Sequence, residues 1–179
     1  QYIALESWRL HRAMPDINLA DAINSDQSNI AASTLRLSGE LGLTELFPNI
    51  ADKLASEDLN LRFWASYSCA LLGDIKGISN LIESINDKSD HCLTSSNADI
   101  ATNTSFATTQ IDQATTWVNH LTACEVLPQR IIKCFEVLGN SRFIPWLISL
   151  TQKQQISPYA SHAFCTITGM DLYSEDHGN

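Results

Sequence analysis

The chain has 179 residues, with 11 Lys and Arg against 20 Asp and Glu, a formal charge of −9 and a pI of about 4.8. Apolar residues make up 44%, enough for a core, and 17% charged lies well below the roughly 25% of an average domain, which excludes disorder driven by charge. Seven Gly and five Pro are too few for a many-stranded barrel, and the scattered basic residues form no phosphate-binding stripe, so nucleic acid is not an expected partner.

No run approaches the roughly 18 apolar residues a membrane span needs, and no basic-then-apolar leader opens the chain, so no membrane partner and a cytoplasmic location are expected. A start at Gln1 without Met suggests a trimmed chain or a fragment of a longer protein. In residues 1–26, Ile3, Leu5, Trp8 and Leu10 precede Pro15, and Leu19, Ala20 and Ile23 follow it, a pattern that predicts one or two capping helices.

Residues 27–169 repeat. Leu41-Gly42, Leu72-Gly73 and Leu138-Gly139 are separated by 31 and 66 residues, and Ile167-Thr168-Gly169 comes 30 further on, so one member has lost its Gly near Phe106. Five residues beyond each Leu-Gly stand Phe47, Ile78 and Ile144; eight beyond, Ile50, Leu81 and Leu147; nine beyond, Ala51, Ile82 and Ile148. These offsets trace one helical face. Pro48, Ser79 and Pro145, six beyond, fall where the first turn of a helix tolerates proline. Upstream, Pro128 and Pro158 each open a helix that ends 11 residues later at a Gly, which takes the positive φ of a helix exit.

The unit is therefore helix, Gly turn, helix. Asp58 caps a helix over about Leu59 to Leu72 with Leu61, Ala65, Cys69 and Leu72 inward, and after Gly73-Asp74 a second helix returns over Ile75 to Ile85. The segment Ser89 to Thr116 carries 13 Ser, Thr or Asn in 28 residues, which predicts a loop over about Lys88 to Asn97 and a poor helix to about Phe106, a weak stretch over about 88–109. Ile111, Ala114, Trp117, Val118 and Leu121 restore an amphipathic face, with Trp117 in the core. Pro128 to Leu138 should bury Ile131, Phe135 and Leu138, Phe143 to Leu150 should return, and residues 170–179 form a surface tail. Because neither helix of a pair buries its stripe alone, the predicted fold is all-α, an α-solenoid of four to five helix-turn-helix repeats.

The phrase Leu71-Leu-Gly-Asp74, followed by Ile78 and Leu81-Ile82, resembles HEAT and HEAT-like repeats, a class that includes the helical repeats of phycobilisome lyases. Val137-Leu-Gly-Asn-Ser-Arg-Phe-Ile-Pro-Trp-Leu-Ile148 and His162-Ala-Phe-Cys-Thr-Ile-Thr-Gly-Met-Asp-Leu172 resemble a family of proteobacterial HEAT-like proteins of undetermined activity. There the phrases have the form "LGD…PWLI" and "AF…ITG.DL". The resemblance implies a HEAT-like array over about residues 27–169 and, for some members, a gene near type VI secretion clusters.

Candidate chemistry is sparse. Cys69, Cys92, Cys124, Cys134 and Cys165 form no C-x-x-C pair, and four of them fall in apolar helical patterns, so buried, inert thiols are expected. His120 with Cys124, and His162 with Cys165, have spacings at which two side chains could share a zinc, but a closed site needs four ligands, so each pair is read as a partly buried His beside a core Cys, with no metal. Glu40 and Glu45, then Asp52, Glu57 and Asp58, then Asp171, Glu175 and Asp176 read as helix caps and solvated turns. No G-x-S-x-G, G-x-x-x-x-G-K or G-x-G-x-x-G occurs, and neither catalysis nor a cofactor is expected.

The second helices offer polar positions for a partner: Glu45, Asn49 and Asp52, then Lys76, Asn80 and Glu83, then Arg142 and the partly exposed Trp146. Trp64 is likewise expected to be partly exposed. The expected function is a non-enzymatic protein-binding scaffold or adaptor, its acidic excess favouring a basic partner such as a bacterial secretion effector, in an adaptor or immunity-type role. One alternative is a lyase-like enzyme or small-ligand carrier with a pocket between repeats. Another is a set of terminal repeats from a larger scaffold, which exposed apolar surface at the N-terminal end would support.

Overall fold

The computed structural model describes residues 2–86, 95–124 and 126–170, and over these the chain is all-α, with eleven α-helices and no strand. Most of the expected loop at Lys88 to Asn97, together with Cys92, Asp171, Glu175 and Asp176, lies outside the described residues. No described helix is long and apolar enough to cross a membrane. The backbone divides into two compact units, Gln1–Thr108 and Thr109–Asn179.

The first unit holds α1 (Tyr2–Leu10), α2 (Leu19–Ile23), α3 (Ser28–Glu40), α4 (Phe47–Asp52), α5 (Leu59–Leu71), α6 (Ile75–Asn86) and α7 (Ser95–Ala107). The two expected helices before residue 26 are α1 and α2. Gly42 and Gly73, just past α3 and α5, have φ of 70° and 87°, the left-handed exit that glycine adopts without steric cost. Pro48 sits in the first turn of α4, which follows a 3₁₀ turn at Thr44–Leu46. Ser79 departs from that register and is the fifth residue of α6, because Asp74 Oδ1 accepts from the Lys76 N–H at 3.3 Å and starts the helix at once.

Asp58 caps α5 as expected, its Oδ1 accepting from Asn60 N at 2.8 Å and Leu61 N at 3.3 Å. Its other oxygen accepts the Ser28 hydroxyl at 2.5 Å, tying the start of α3 to the start of α5. That hydroxyl, with the two backbone N–H groups, outweighs partial burial and holds the carboxyl below its ordinary 3.8. A depressed folded value means the contribution is complete above 3.8 and is lost as pH falls through the folded value. Asp58→Ala is therefore expected to cost about 1–2 kcal/mol at neutral pH. In urea melts the gap to the parent protein should shrink on acidification, and a gap that stays constant would refute the assignment.

Packing proceeds layer by layer. α3 lies against α1 and α2 on one side and α5 on the other, so from Ile30 to Gly39 only Arg36 escapes burial. Leu5, Leu19, Ile30, Leu37 and Leu43 form one core, and Ile23, Leu35, Ile50, Ala65 and Cys69 form the next. Leu61 and Leu72 pack against this second core, half-buried. Three hydroxyls inside this packing are satisfied within their own helix or across it. Thr34 donates to the Ile30 carbonyl and Ser38 to the Thr34 carbonyl, both at 2.8 Å, and Ser68 donates to the Leu35 carbonyl at 2.6 Å. On the outer side of α1, Ile3 and Leu10 remain exposed.

The expected poor helix at the Ser/Thr-rich stretch is instead a full 13-residue helix, α7, packed on α6 and α5. Ala98, Ala101, Thr102, Ser105 and Phe106 are buried. Small side chains allow close approach, and Thr102 returns its hydroxyl to the Ala98 carbonyl at 2.9 Å, so bulky apolar periodicity is not required.

The second unit holds α8 (Ile111–Ala123), α9 (Pro128–Leu138), α10 (Ile144–Thr151) and α11 (Ser157–Thr168). Pro128 and Pro158 sit in the first turns of α9 and α11, and both helices end on a left-handed Gly, Gly139 at φ 61° and Gly169 at 70°. α11 packs on α9 and α10, closing a core of Ile132, Leu147, Leu150, Ala160 and Ala163. Ile148, expected inward, is 51% exposed. The α6 counterpart Ile82 is buried because α6 is flanked by α5 and α7, whereas the eight-residue α10 has α11 as its main neighbour. Trp117 and Leu138 are half-buried and Ile111 is exposed, since Ala114, Val118 and Leu121 occupy the inward stripe of α8, and Ile131, Ile132, Cys134 and Phe135 that of α9.

Candidate functional site

A groove of about 240 Å³ opens in the first unit along α3, between α1 and α5. Helical spacing builds it: Tyr2 and Glu6 are four apart on α1, and Asn60 and Trp64 four apart on α5. On α3, Asn29 and Arg36 flank Ala32 and Ser33, whose small buried side chains form the floor.

Charges beside the groove are paired in a chain. Arg9 donates to Glu6 Oε2 at 2.9 Å and to Glu40 Oε2 at 3.3 Å, and Arg36 Nε donates to Glu40 Oε1 at 2.8 Å. Tyr67 adds its hydroxyl to Glu40 Oε1 at 3.3 Å. Burial, reinforced by the Glu40 charge, pushes the Tyr67 phenol above its ordinary value and keeps it a donor. The Arg36 guanidinium also lies over the Trp64 ring, 4.6 Å from its centroid, while Phe63 and Tyr67 meet that ring edge-on. Trp64 is half-buried, in line with partial exposure. Glu40 is thus not the solvated turn residue expected. It is a half-buried hub joining three helices, because its place in the last turn of α3 faces Arg9 on α1 and Tyr67 on α5.

The residues read from the sequence as partner-binding lie on other elements. Glu45, Asp52, Lys76 and Glu83 are exposed and Asn49 is half-buried, all around α4 and α6. Asn80 turns toward α5, where Nδ2 donates to Ser66 Oγ at 3.4 Å. Arg142 and Trp146 belong to the second unit; Arg142 is exposed, and Trp146 is 39% exposed, its ring meeting that of Phe135 edge-on with centroids 4.8 Å apart. No motif in the sequence marks the groove residues Asn29, Ser33, Arg36 and Asn60. A signal was present, since Asn29 and Asn60 each stand 13 residues before a repeat glycine, Gly42 and Gly73.

The His and Cys pairs take different forms. His120 Nε2 and Cys124 Sγ are 3.8 Å apart, whereas His162 turns to Glu136, 3.3 Å away, which also binds Lys133 Nζ at 2.7 Å. Cys124 and Cys165 are half-buried rather than core residues, because each sits at the edge of its helix's inward stripe. Among the described residues no three His, Cys, Asp or Glu side chains gather as a metal site. Cys69 and Cys134 are buried, and burial pushes both thiols up to about 12, so at neutral pH they stay protonated and unreactive. Alkylation of the native protein followed by peptide mapping should modify Cys124 and Cys165 first and reach Cys69 and Cys134 only after denaturation. Early modification of Cys69 would contradict the packing of α5.

No protein-family model, no curated protein and no solved structure matches the chain.

Proposed function

We propose that the chain is a short α-solenoid of HEAT-like helix-turn-helix repeats that acts as a non-enzymatic scaffold or adaptor for a basic protein partner. The repeat assignment is supported by the left-handed glycines after α3, α5, α9 and α11 and by the stacking of α1 on α3, α3 on α5, and α9 on α11. One observation carries the choice of partner. Residues 1–108 contain 14 Asp and Glu against seven Lys and Arg, and of those seven, Arg9 and Arg36 are tied to Glu6 and Glu40. Asp16, Asp21, Asp26, Glu45, Asp52, Glu57 and Glu83 stay exposed, and such a surface attracts positive charge over about a Debye length of roughly 8–10 Å. A concrete version is an adaptor or immunity-type protein that holds a basic bacterial secretion effector, the context that the resemblance of the C-terminal phrases implies.

Affinity capture from the source bacterium at low and high salt tests this, with a Glu45→Gln/Asp52→Asn/Glu57→Gln variant in parallel. A basic protein enriched at low salt, and lost both at high salt and with the variant, is the expected result. Capture indifferent to salt and to the variant would sink the electrostatic part, and no enrichment would sink the scaffold reading. The uncovered Ile3 and Leu10 on α1 favour the further reading that these repeats stack on others.

A further inference from the structure

We infer that the groove between α1 and α5 clamps an extended polypeptide segment bearing lysine or arginine, with the Asn29 and Asn60 side chains bonding its backbone. The inference rests on the protein-binding reading and names the form of partner that this groove would take.

Register is the first support. Asn29 and Asn60 occupy equivalent positions in the first turn of two helices, α3 and α5, that pack side by side. A primary amide offers two donors and an acceptor, the complement of a peptide group's C=O and N–H. Asn29 Oδ1 already accepts the Ile30 N–H at 2.9 Å, so Asn29 presents chiefly its Nδ2 donors, while Asn60 presents the whole amide. Packed helices lie about 8–10 Å apart and an extended chain advances about 3.3 Å per residue, so two such amides meet peptide groups two or three residues apart.

Unspent polar groups are the second. Ser33 lines the floor of the groove and, unlike the neighbouring Thr34 and Ser38, does not return its hydroxyl to a helix carbonyl. The Asn60 side chain also makes no internal bond. A hydroxyl on the floor of an open groove can exchange solvent for a ligand's polar atom. The groove, at about 240 Å³, is smaller than the roughly 300–1,000 Å³ of small-molecule sites and suits one side chain of a longer chain.

Charge supplies the third. Glu6 uses Oε2 for both of its contacts with Arg9, leaving Oε1 for a ligand cation. Tyr2 and Trp64 give aromatic surface along which an alkyl stem and its cationic head can lie. Arg36 is already held by Glu40 and stacked on Trp64, so it forms a wall rather than an uncompensated charge.

The test is fluorescence anisotropy of the full chain with two fluorescein-labelled octapeptides, one alternating lysine and serine, the other glutamate and serine. The lysine peptide should bind and the glutamate peptide should not. The Asn29→Ala/Asn60→Ala double variant should weaken binding about tenfold, the equivalent of two ordinary hydrogen bonds, and N-methylation of alternate amides in the peptide should do the same. Both asparagines are exposed, so circular dichroism should show the fold intact. Binding unchanged by the asparagine substitutions or by N-methylation, preference for the glutamate peptide, or no binding at all would overturn the proposal. If Asn29→Ala/Asn60→Ala still captures the cellular partner while the surface-acid variant does not, the groove assignment fails and the scaffold reading stands.

Discussion

Alanine at Gly77 is expected to destabilise the first unit by about 2–3 kcal/mol, read as a fall in the urea midpoint without a change in slope. Gly77 lies in the first turn of α6, where an added Cβ would stand 2.6 Å from the Ala70 nitrogen, the Ser66 carbonyl oxygen and Cys69 Cβ. Two of those atoms are backbone, so α5 and α6 would have to separate. The gain in helix propensity, up to about 1 kcal/mol, works against this cost and does not cancel it. Gly39 meets Ser68 in the same way at 2.6 Å on the α3–α5 contact and should behave alike. Gly73→Ala provides the contrast, because nothing lies within 4 Å of its Cβ and only the φ of 87° opposes the change, at about 1–2 kcal/mol. A Gly77→Ala protein as stable as the parent would refute the close approach of these helices.

Leu147→Ala is expected to cost about 2–5 kcal/mol, and Ile148→Ala to lie within roughly 0.5 kcal/mol of the parent. The repeat register treats the two as equals, but Leu147 is fully buried among Ile132, Leu150, Ala160 and Ala163, while Ile148 is half out in water. Truncation of Leu147 leaves a cavity in a small core that the two alanines of α11 cannot fill. Paired urea melts decide the matter, and equal losses at the two positions would mean that α10 packs on both sides.

The helices and their ends were largely readable because their determinants are local. An Asp58 side chain accepting two N–H groups, a Pro in a first turn and a Gly at positive φ all act within four residues of themselves. Where partners come from afar, the residues alone were misleading. Glu40 looked like a turn carboxylate until α1 and α5 brought Arg9 and Tyr67 to it. The Ser/Thr-rich α7 looked poor because its fit depends on close approach to neighbours and on hydroxyls bonding within the helix. The proposed partner face on α4 and α6 followed from polarity, while the groove on α1, α3 and α5 follows from which helices stack.

By itself the sequence determined an acidic, all-helical chain punctuated at four glycines, since helix periodicity, caps and net charge are properties of nearby residues or of composition. Only the tertiary structure decided which of two adjacent apolar residues is core, which glycines are contact points rather than turns, and which polar groups converge on an open groove. Those outcomes depend on the distance and rotation between packed helices, which residues many turns apart set jointly.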